Sequence, residues 1–444
     1  MHWADYFSQL DWSNLPDSVR NSTVLVVSDT IGGIVAGLRT AEIKQLLNRC
    51  ESGDVPIFST PTQTDLASAG LLLGTAAVSL EVDEGNQYSF GHPAAHAVPT
   101  ALAAAVKNRS TGIDFLTAVV VGYEVGSRFG RKYRLRPDLH AHGTWGIAGA
   151  AAAAAYVNKL SSDQFRQAVM MGSGMVPATS WQTALDGDTI RNLYAGHAAM
   201  WGTVAPALVS AGFTVPIDIA DRTLGNVLGC TDISTSIDDL LGERFDIELN
   251  YFKPYAFCRY SHSAIEAAQQ AAHGLTPKEI DHIEVRTFLR ASTLNNRVPA
   301  NQLAAKFSIP YGVASAIALH RADQAVFSPA LFQNPDVMNL IDRVSVVHDA
   351  ALDEAYPAEM VAKAVVYGRD GTVREASCKE AKGSQTNPLS PGDLYHKFEG
   401  LVSDFGDAVK LWDAIAELPS VVDMRDWAVQ IGKLFSNESK EGTT

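Results

Sequence analysis

Apolar positions recur at helical spacing through most of the first half of the chain. They run over residues 19–38 after Leu15-Pro16-Asp17-Ser18, where Asp17 or Ser18 is expected to cap the helix. Gly32, Gly33 and Gly37 weaken helix propensity there but permit close packing. Further helices are predicted over 97–106 and 112–129, the latter with Gly122 and Gly126 four apart on one face. Residues 146–156 are almost all Ala and Gly. Such a surface lets neighbouring helices approach closely, so this helix is expected at the centre. Segments 162–175 and 196–211 complete a helical block.

The pattern changes near residue 250. Residues 280–288 alternate as a strand does, and 344–347 is a short β-branched run. Residues 362–377 read as a hairpin around Gly368-Arg-Asp-Gly371. Helical segments at 263–272 and 311–319 intervene, which makes this an α+β region. A Gly/Ser/Asn/Pro-rich stretch then leads to Ser390-Pro391. Residues 393–435 are helical again, and 437–444 are expected to fray. No internal repeat occurs. The expected fold is mainly α: a large all-helical domain over 1–249, an inserted α+β domain over 250–389, and a return to the helical domain over 390–444.

Composition narrows the function. A chain of 444 residues, 46% apolar and 19% charged, can bury large cores without disulfides or metals. Its formal net charge of -14 argues against nucleic acid, because phosphate contacts need clustered Lys and Arg. The basic run Arg128, Arg131, Lys132, Arg134, Arg136 reads as a solvated helix end or loop. Cys50, Cys230, Cys258 and Cys378 are widely spaced, which disfavours a disulfide framework, a structural zinc site and a close-spaced iron–sulfur cluster, and fits a reducing cytosol. The N-terminus lacks the pattern of a signal peptide. The longest small-apolar run, Gly146 to Val157, is too short to span a bilayer, so no membrane association is expected.

No G-x-G-x-x-G follows a strand, and no Walker A, H-E-x-x-H or G-x-S-x-G sequence occurs. No cofactor is therefore expected. Several other segments could carry chemistry. His92 and His96 follow the acidic cluster Glu81, Asp83, Glu84, and carboxylates can orient a histidine as a base. His140 and His142 stand just before the Ala-rich helix, where Thr144 could cap it and its N-terminus could receive an anion. His-x-His also hints at a metal, but no third ligand is evident and none is expected. Arg191, and Lys253, Arg259 and His262 among aromatics, suit a pocket for carboxylates. Tyr311 reads as a core tyrosine.

Taken together these segments resemble the MmgE/PrpD family. The match runs from Asp29-Thr-Ile-Gly-Gly-Ile-Val-Ala-Gly37 to Ser308-Ile-Pro-Tyr311. Its best pieces are Gly74-Thr-Ala-Ala with Leu80-Glu-Val-Asp-Glu-Gly85, His92-Pro through Pro99, Gly122-Tyr-Glu-Val-Gly126, His140 through Ala154, and Lys253-Pro-Tyr through His262. The resemblance implies an all-helical domain carrying a smaller α+β lid, with the active site in the cleft between them. It also implies a homodimer acting without cofactor on small polycarboxylates: dehydration of 2-methylcitrate, decarboxylation of cis-aconitate, or epimerisation of iminodisuccinate. Matched by motif, His92 and His140 correspond to the family's active-site histidines, Lys253 to its lid-side lysine and Tyr311 to its active-site tyrosine. The family's acidic residue falls on Glu81 or Asp83, and Arg191 stands where members often have Lys.

These reactions all handle a proton or a developing charge beside a carboxylate. They need a base near neutrality, which His supplies, and cations to stabilise an enolate-like state. The first expectation is a dehydratase on a di- or tricarboxylate, with decarboxylase and epimerase as alternatives on the same scaffold. A non-catalytic carboxylate-binding protein is the reading from another class. His92, His140, Lys253 and Tyr311 are the expected catalytic set, with Glu81, Asp83, Arg191, Arg259 and His262 binding substrate. Activity is expected to survive chelation.

Overall fold

Small residues set the centre of the first unit. In the computed structural model, which describes residues 2–233 and 235–435, the helix Gly146–Val157 is buried from Gly146 through Ala155. It packs against the helices Gly112–Lys132, Ile190–Ser210, Ser162–Gly174 and Ala94–Asn108. A Cβ on Gly149 would lie 2.4 Å from the Gly122 carbonyl oxygen, and one on Gly122 would lie 2.8 Å from the Gly149 oxygen. The glycine face read from the sequence is thus a helix–helix contact with no room for side chains. Gly37 acts likewise in Asp17–Gly37: its Cβ would sit 2.1 Å from the Ala76 oxygen.

Contacts divide the described residues into two units. The first is drawn from Met1–Ser180, Ile190–Asn250 and Pro391–Thr444, the second from Trp181–Thr189 and Tyr251–Ser390. Helices dominate and the strands form only small sheets, so the protein is mainly α. Local caps explain several helix starts. Asp65 Oδ1 accepts the Ala67 and Ser68 amides ahead of Leu66–Val78, and Thr111/Asp114 and Ser161/Gln164 form reciprocal capping boxes. The expected caps Asp17 and Ser18 do not act as such. Pro16 holds that position without a side-chain bond, and Asp17 instead pairs with Arg20 one turn on. Thr144 does not cap the Ala-rich helix either, because its hydroxyl donates to the Ala141 carbonyl.

The second unit holds a four-stranded sheet in the order Val373–Cys378, Ala362–Gly368, Ile280–Thr287, Val344–His348. The first two pairings are antiparallel and the last parallel. Ile280, Ile283, Val285 and Thr287 are buried while the residues between them are not, which is the alternation that marked this strand in the sequence. The hairpin turns at Gly371, whose φ of 86° favours glycine. The helix His262–Ala271 lies on the two hairpin strands. Residues 437–444 lie outside the described residues. No single helix among the described residues is long and apolar enough to cross a membrane, and Gly146–Val157 is core.

The first part of the basic run, Arg128 to Lys132, is bound into the fold of the first unit, whereas Arg134 and Arg136 are exposed. Buried Arg128 donates to the carbonyls of Ile237 and Arg244 at 3.1 Å, Arg131 pairs with Asp246, and Lys132 with Asp232. Glu124 lies in the same network, its Oε1 accepting the Ile247 amide at 2.9 Å. Burial, reinforced by Asp246, pushes Glu124 up to about 8 from 4.5. The native chain then holds a proton in this window that the unfolded chain releases. The associated stability is fully present below about pH 4.5 and is lost as pH rises through about 8. Urea midpoints are expected to fall between about pH 5 and pH 9, and to fall less in Glu124→Gln. Equal pH slopes for the two proteins would refute the assignment.

Candidate active site

The acidic loop after Leu66–Val78 is buried. Glu81, Asp83 and Glu84 are each at most 4% exposed, so it is not a surface turn. Two devices from distant parts of the chain hold it. Lys397, on the helix Pro391–Val402, donates to the Val82 carbonyl at 2.7 Å and to Asp29 Oδ1 at 2.5 Å. Asn86 donates to the Asp246 carbonyl at 2.9 Å while its own Oδ1 accepts the Tyr88 and Ser89 amides. Glu81 itself has φ 57°, a conformation costly for a residue with a Cβ.

These constraints aim Asp83 and Glu81 at different partners. Asp83 Oδ2 lies 2.8 Å from His92 Nδ1, and the Glu84 carbonyl oxygen lies 2.5 Å from the same nitrogen. Both neighbours are acceptors, so Nδ1 carries the proton and Nε2 carries the lone pair. The hydrogen bond that orients the ring goes to the Glu84 carbonyl, and the Asp83 carboxylate adds a close negative charge beside it. Its ring is 13% exposed, whereas Asp83 is 2% exposed. Glu81 pairs with Arg191, the second residue of Ile190–Ser210. Arg191 also donates to the Val78 carbonyl at 2.8 Å, where the end of a helix favours a cation, and to Asn192 Oδ1 at 3.1 Å. Glu81 and Arg191 are thus a buried ion pair that closes the helix Leu66–Val78.

The second histidine segment meets the first in space. His140 is pinned through Thr179, which accepts its amide at 3.2 Å and donates to its carbonyl at 2.8 Å. Gly143 turns with φ 79°, and a Cβ there would strike the Tyr194 oxygen at 2.6 Å. His140 Nδ1 faces the His142 amide at 3.0 Å. Nε2 lies 3.3 Å from Arg191 Nε, always a donor. A neutral imidazole accepts on one nitrogen only, so the His142 amide and Arg191 Nε compete for the His140 lone pair. His142 stacks beside His140, with ring centres 4.8 Å apart, and its Nε2 is 3.7 Å from Asp83 Oδ2. Burial, with Arg191 and the neighbouring histidines, holds His142 well below the usual histidine range, so it is neutral. His96 lies behind them. It donates from Nδ1 to the His92 carbonyl, accepts the Gly143 amide on Nε2, and is pushed down to about 4 by burial. Both its nitrogens are satisfied, and a Cβ on Gly146 would sit 2.4 Å from its ring, so His96 is a packed structural histidine.

The first unit therefore brings together Glu81, Asp83, His92, His140 and Arg191 from the expected set, and adds His142. The remaining expected residues lie in the second unit. Lys253 is fully buried there. His262 accepts Arg259 Nη1 on Nδ1 at 3.3 Å and donates from Nε2 to the Phe257 carbonyl at 3.0 Å. Arg259 also lies over the Tyr251 ring at 4.9 Å. The Tyr311 hydroxyl is 3.3 Å from the Val326 carbonyl oxygen and 3.2 Å from that of Phe332, and burial pushes it up to about 12. His142 had no signal beyond the His-x-His pair, because the carboxylate and histidine that meet it are 59 and 50 residues earlier in the chain (142 − 83 and 142 − 92).

Comparison with known proteins agrees with this architecture. The MmgE/PrpD N-terminal domain matches residues 2–233 and the MmgE/PrpD C-terminal domain matches residues 255–418. The chain belongs to the MmgE/PrpD family, whose members are enzymes. Among its relatives is a cis-aconitate decarboxylase of Aspergillus terreus (strain NIH 2624 / FGSC A1156), 21% identical over 467 residues that cover 95% of this chain and 93% of the relative. A cis-aconitate decarboxylase-like protein, oryM, of Aspergillus oryzae (strain ATCC 42149 / RIB 40) is 23% identical over 376 residues, 78% of this chain and 77% of its own.

Proposed function

We propose that this chain is a cofactor-independent lyase for a small di- or tricarboxylate, and that its reaction is decarboxylation of a cis-aconitate-like acid. The observation that carries the reading is the cluster of His92, whose Nδ1 is held by the Glu84 carbonyl with the Asp83 carboxylate 2.8 Å away, His140 and the cation Arg191. The decarboxylases to which the chain is similar along 95% of its length move the reading from dehydration to decarboxylation. In such a step the carbon–carbon bond to the departing carboxylate breaks. Its electron pair passes into the π-system conjugated with a remaining carboxylate, and a proton joins carbon. His92 and His140 are the proton-transfer groups in this proposal, and cationic side chains hold the carboxylates. No redox partner is required.

Lys253 is proposed to bind a substrate carboxylate. A charge-assisted hydrogen bond contributes about 1.5–3 kcal/mol, so Lys253→Ala is expected to raise KM roughly 10- to 100-fold. An unchanged KM in a folded variant would remove Lys253 from the site. The proposed assembly is a homodimer through the helical unit, which exposes Leu193, Phe213 and Ile217. Light scattering returning the mass of a single chain would contradict it.

The function is tested by a mass-spectrometric screen of polycarboxylates in heavy water. Loss of carbon dioxide with deuterium gained on carbon is the expected result. Loss of water alone would replace decarboxylation by dehydration, and deuterium gain at constant composition would replace it by epimerisation. Binding of polycarboxylates without any turnover would overturn the enzymatic reading.

A further inference from the structure

We propose that Asp83, His92 and His142 form a binding site for one divalent transition-metal ion of the zinc class, and that an ion bound there blocks the chain's own chemistry. The blocking half rests on the proton-transfer role proposed for His92; the binding half does not. One ligand atom from each of the three residues lies within 4.8 Å of the others. Asp83 Oδ2 is 2.8 Å from His92 Nδ1 and 3.7 Å from His142 Nε2. Ligands on a tetrahedral zinc ion with bonds of about 2.0–2.1 Å stand roughly 3.3 Å apart, so the triad must contract by about 1.5 Å at most.

His142 is the group able to make that movement. Its ring is fully buried, yet neither Nδ1 nor Nε2 has a hydrogen-bond partner among the described residues. A buried imidazole with both nitrogens unsatisfied is costly, and it is uncommon in a native fold without a reason. The ring lies between those of His92, at 4.9 Å, and His140, at 4.8 Å, and this stacking points Nε2 at the Asp83 carboxylate. No hydrogen bond holds it against a small rotation toward a metal.

The donor set selects the ion. Two imidazoles and one carboxylate, with a fourth position left for water or substrate, suit zinc and its neighbours. Calcium and magnesium require six or more oxygen ligands, or a largely hydrated shell, which this buried triad does not offer. The metal would compete with catalysis directly. Binding through His92 Nε2 occupies the nitrogen proposed to transfer the proton, and binding through Nδ1 displaces the proton that it donates to the Glu84 carbonyl. Either way His92 can no longer transfer the proton.

Cobalt is the probe, because its visible absorption reports the ligand field independently of activity. The full chain, stripped with a chelator, is titrated with Co²⁺. The expected result is a visible band that saturates at one ion per chain and is bleached by Zn²⁺. His142→Asn, close in size and polarity, and His142→Phe, which keeps the packing, should each weaken binding roughly 100-fold or more. His282→Asn, at an exposed histidine of the second unit, should bind like the parent. Circular dichroism verifies folding. Absence of the band, or equal binding by the folded His142 variants, would overturn the site whether or not the chain turns over any polycarboxylate. In an active preparation one equivalent of Zn²⁺ should abolish turnover and EDTA should restore it. Activity that needs zinc and disappears with EDTA would overturn the inhibitory half while leaving the binding result standing.

Discussion

Replacing His92 by alanine is expected to lower kcat by on the order of 10²–10⁴-fold with KM little changed. The reason lies in the tautomer. The Glu84 carbonyl takes the Nδ1 proton of His92 with Asp83 Oδ2 2.8 Å away, so Nε2 is the nitrogen that carries the proton transfer in the proposed reaction. Such an interaction exists mainly in the transition state, so its loss falls on kcat. Asp83→Asn should be milder, about 10- to 100-fold, because the Glu84 carbonyl still receives the Nδ1 proton when the carboxylate is gone. The ordering of the two variants distinguishes a base with its orienting partner from two residues that merely pack together. Steady-state kinetics on the substrate found by the polycarboxylate screen measures it. Near-parental turnover in folded His92→Ala would make this histidine structural.

Arg191→Ala is expected to destabilise the helical unit by about 3–5 kcal/mol. The guanidinium is 1% exposed and joins four buried groups: the Glu81 carboxylate, the Val78 carbonyl, the Asn192 side chain and the His140 ring. Removing it leaves Glu81 as a buried charge without its cation, which costs far more than the net gain from forming the pair. Two further variants separate these contributions. Arg191→Met with Glu81→Gln removes both charges at similar volume and should recover most of the loss. Arg191→Lys should fall between, because an ammonium is a point charge and cannot reach the carboxylate and the carbonyl with the fork geometry of arginine. Urea denaturation followed by circular dichroism gives the four stabilities. If Arg191→Ala lies within about 1 kcal/mol of the parent, the pair belongs with surface ion pairs and the buried bridge is misjudged.

Both predictions concern residues that the sequence marked, yet it could not say which did what. The Glu81-Val-Asp-Glu84 cluster left open which carboxylate belongs to the site. The answer depends on where the loop is held, by Lys397 from more than 300 positions away and by Asn86 bonded to the Asp246 carbonyl. Once it is held there, Asp83 meets His92 and Glu81 meets Arg191. The basic run before His140 looked like a solvated helix end, which holds for Arg134 and Arg136, but the partners of Arg128, Arg131 and Lys132, namely Asp232, Asp246 and the carbonyls of residues 237 and 244, are close only after folding.

What the sequence determined by itself is the part written in local repetition. Helical spacing, glycines four apart and the Ala-rich run state which faces are buried and how closely helices approach, since those depend on side-chain size at fixed intervals. Alternation in 280–287 and the Gly-Arg-Asp-Gly turn likewise mark the sheet from neighbours alone. Only the tertiary structure decided the tautomer of His92, the structural role of His96, and the meeting of Asp83 with His142. Each of these is set by hydrogen-bond partners and burial contributed by segments far apart in the chain. Protonation state follows from that environment rather than from the identity of the residue.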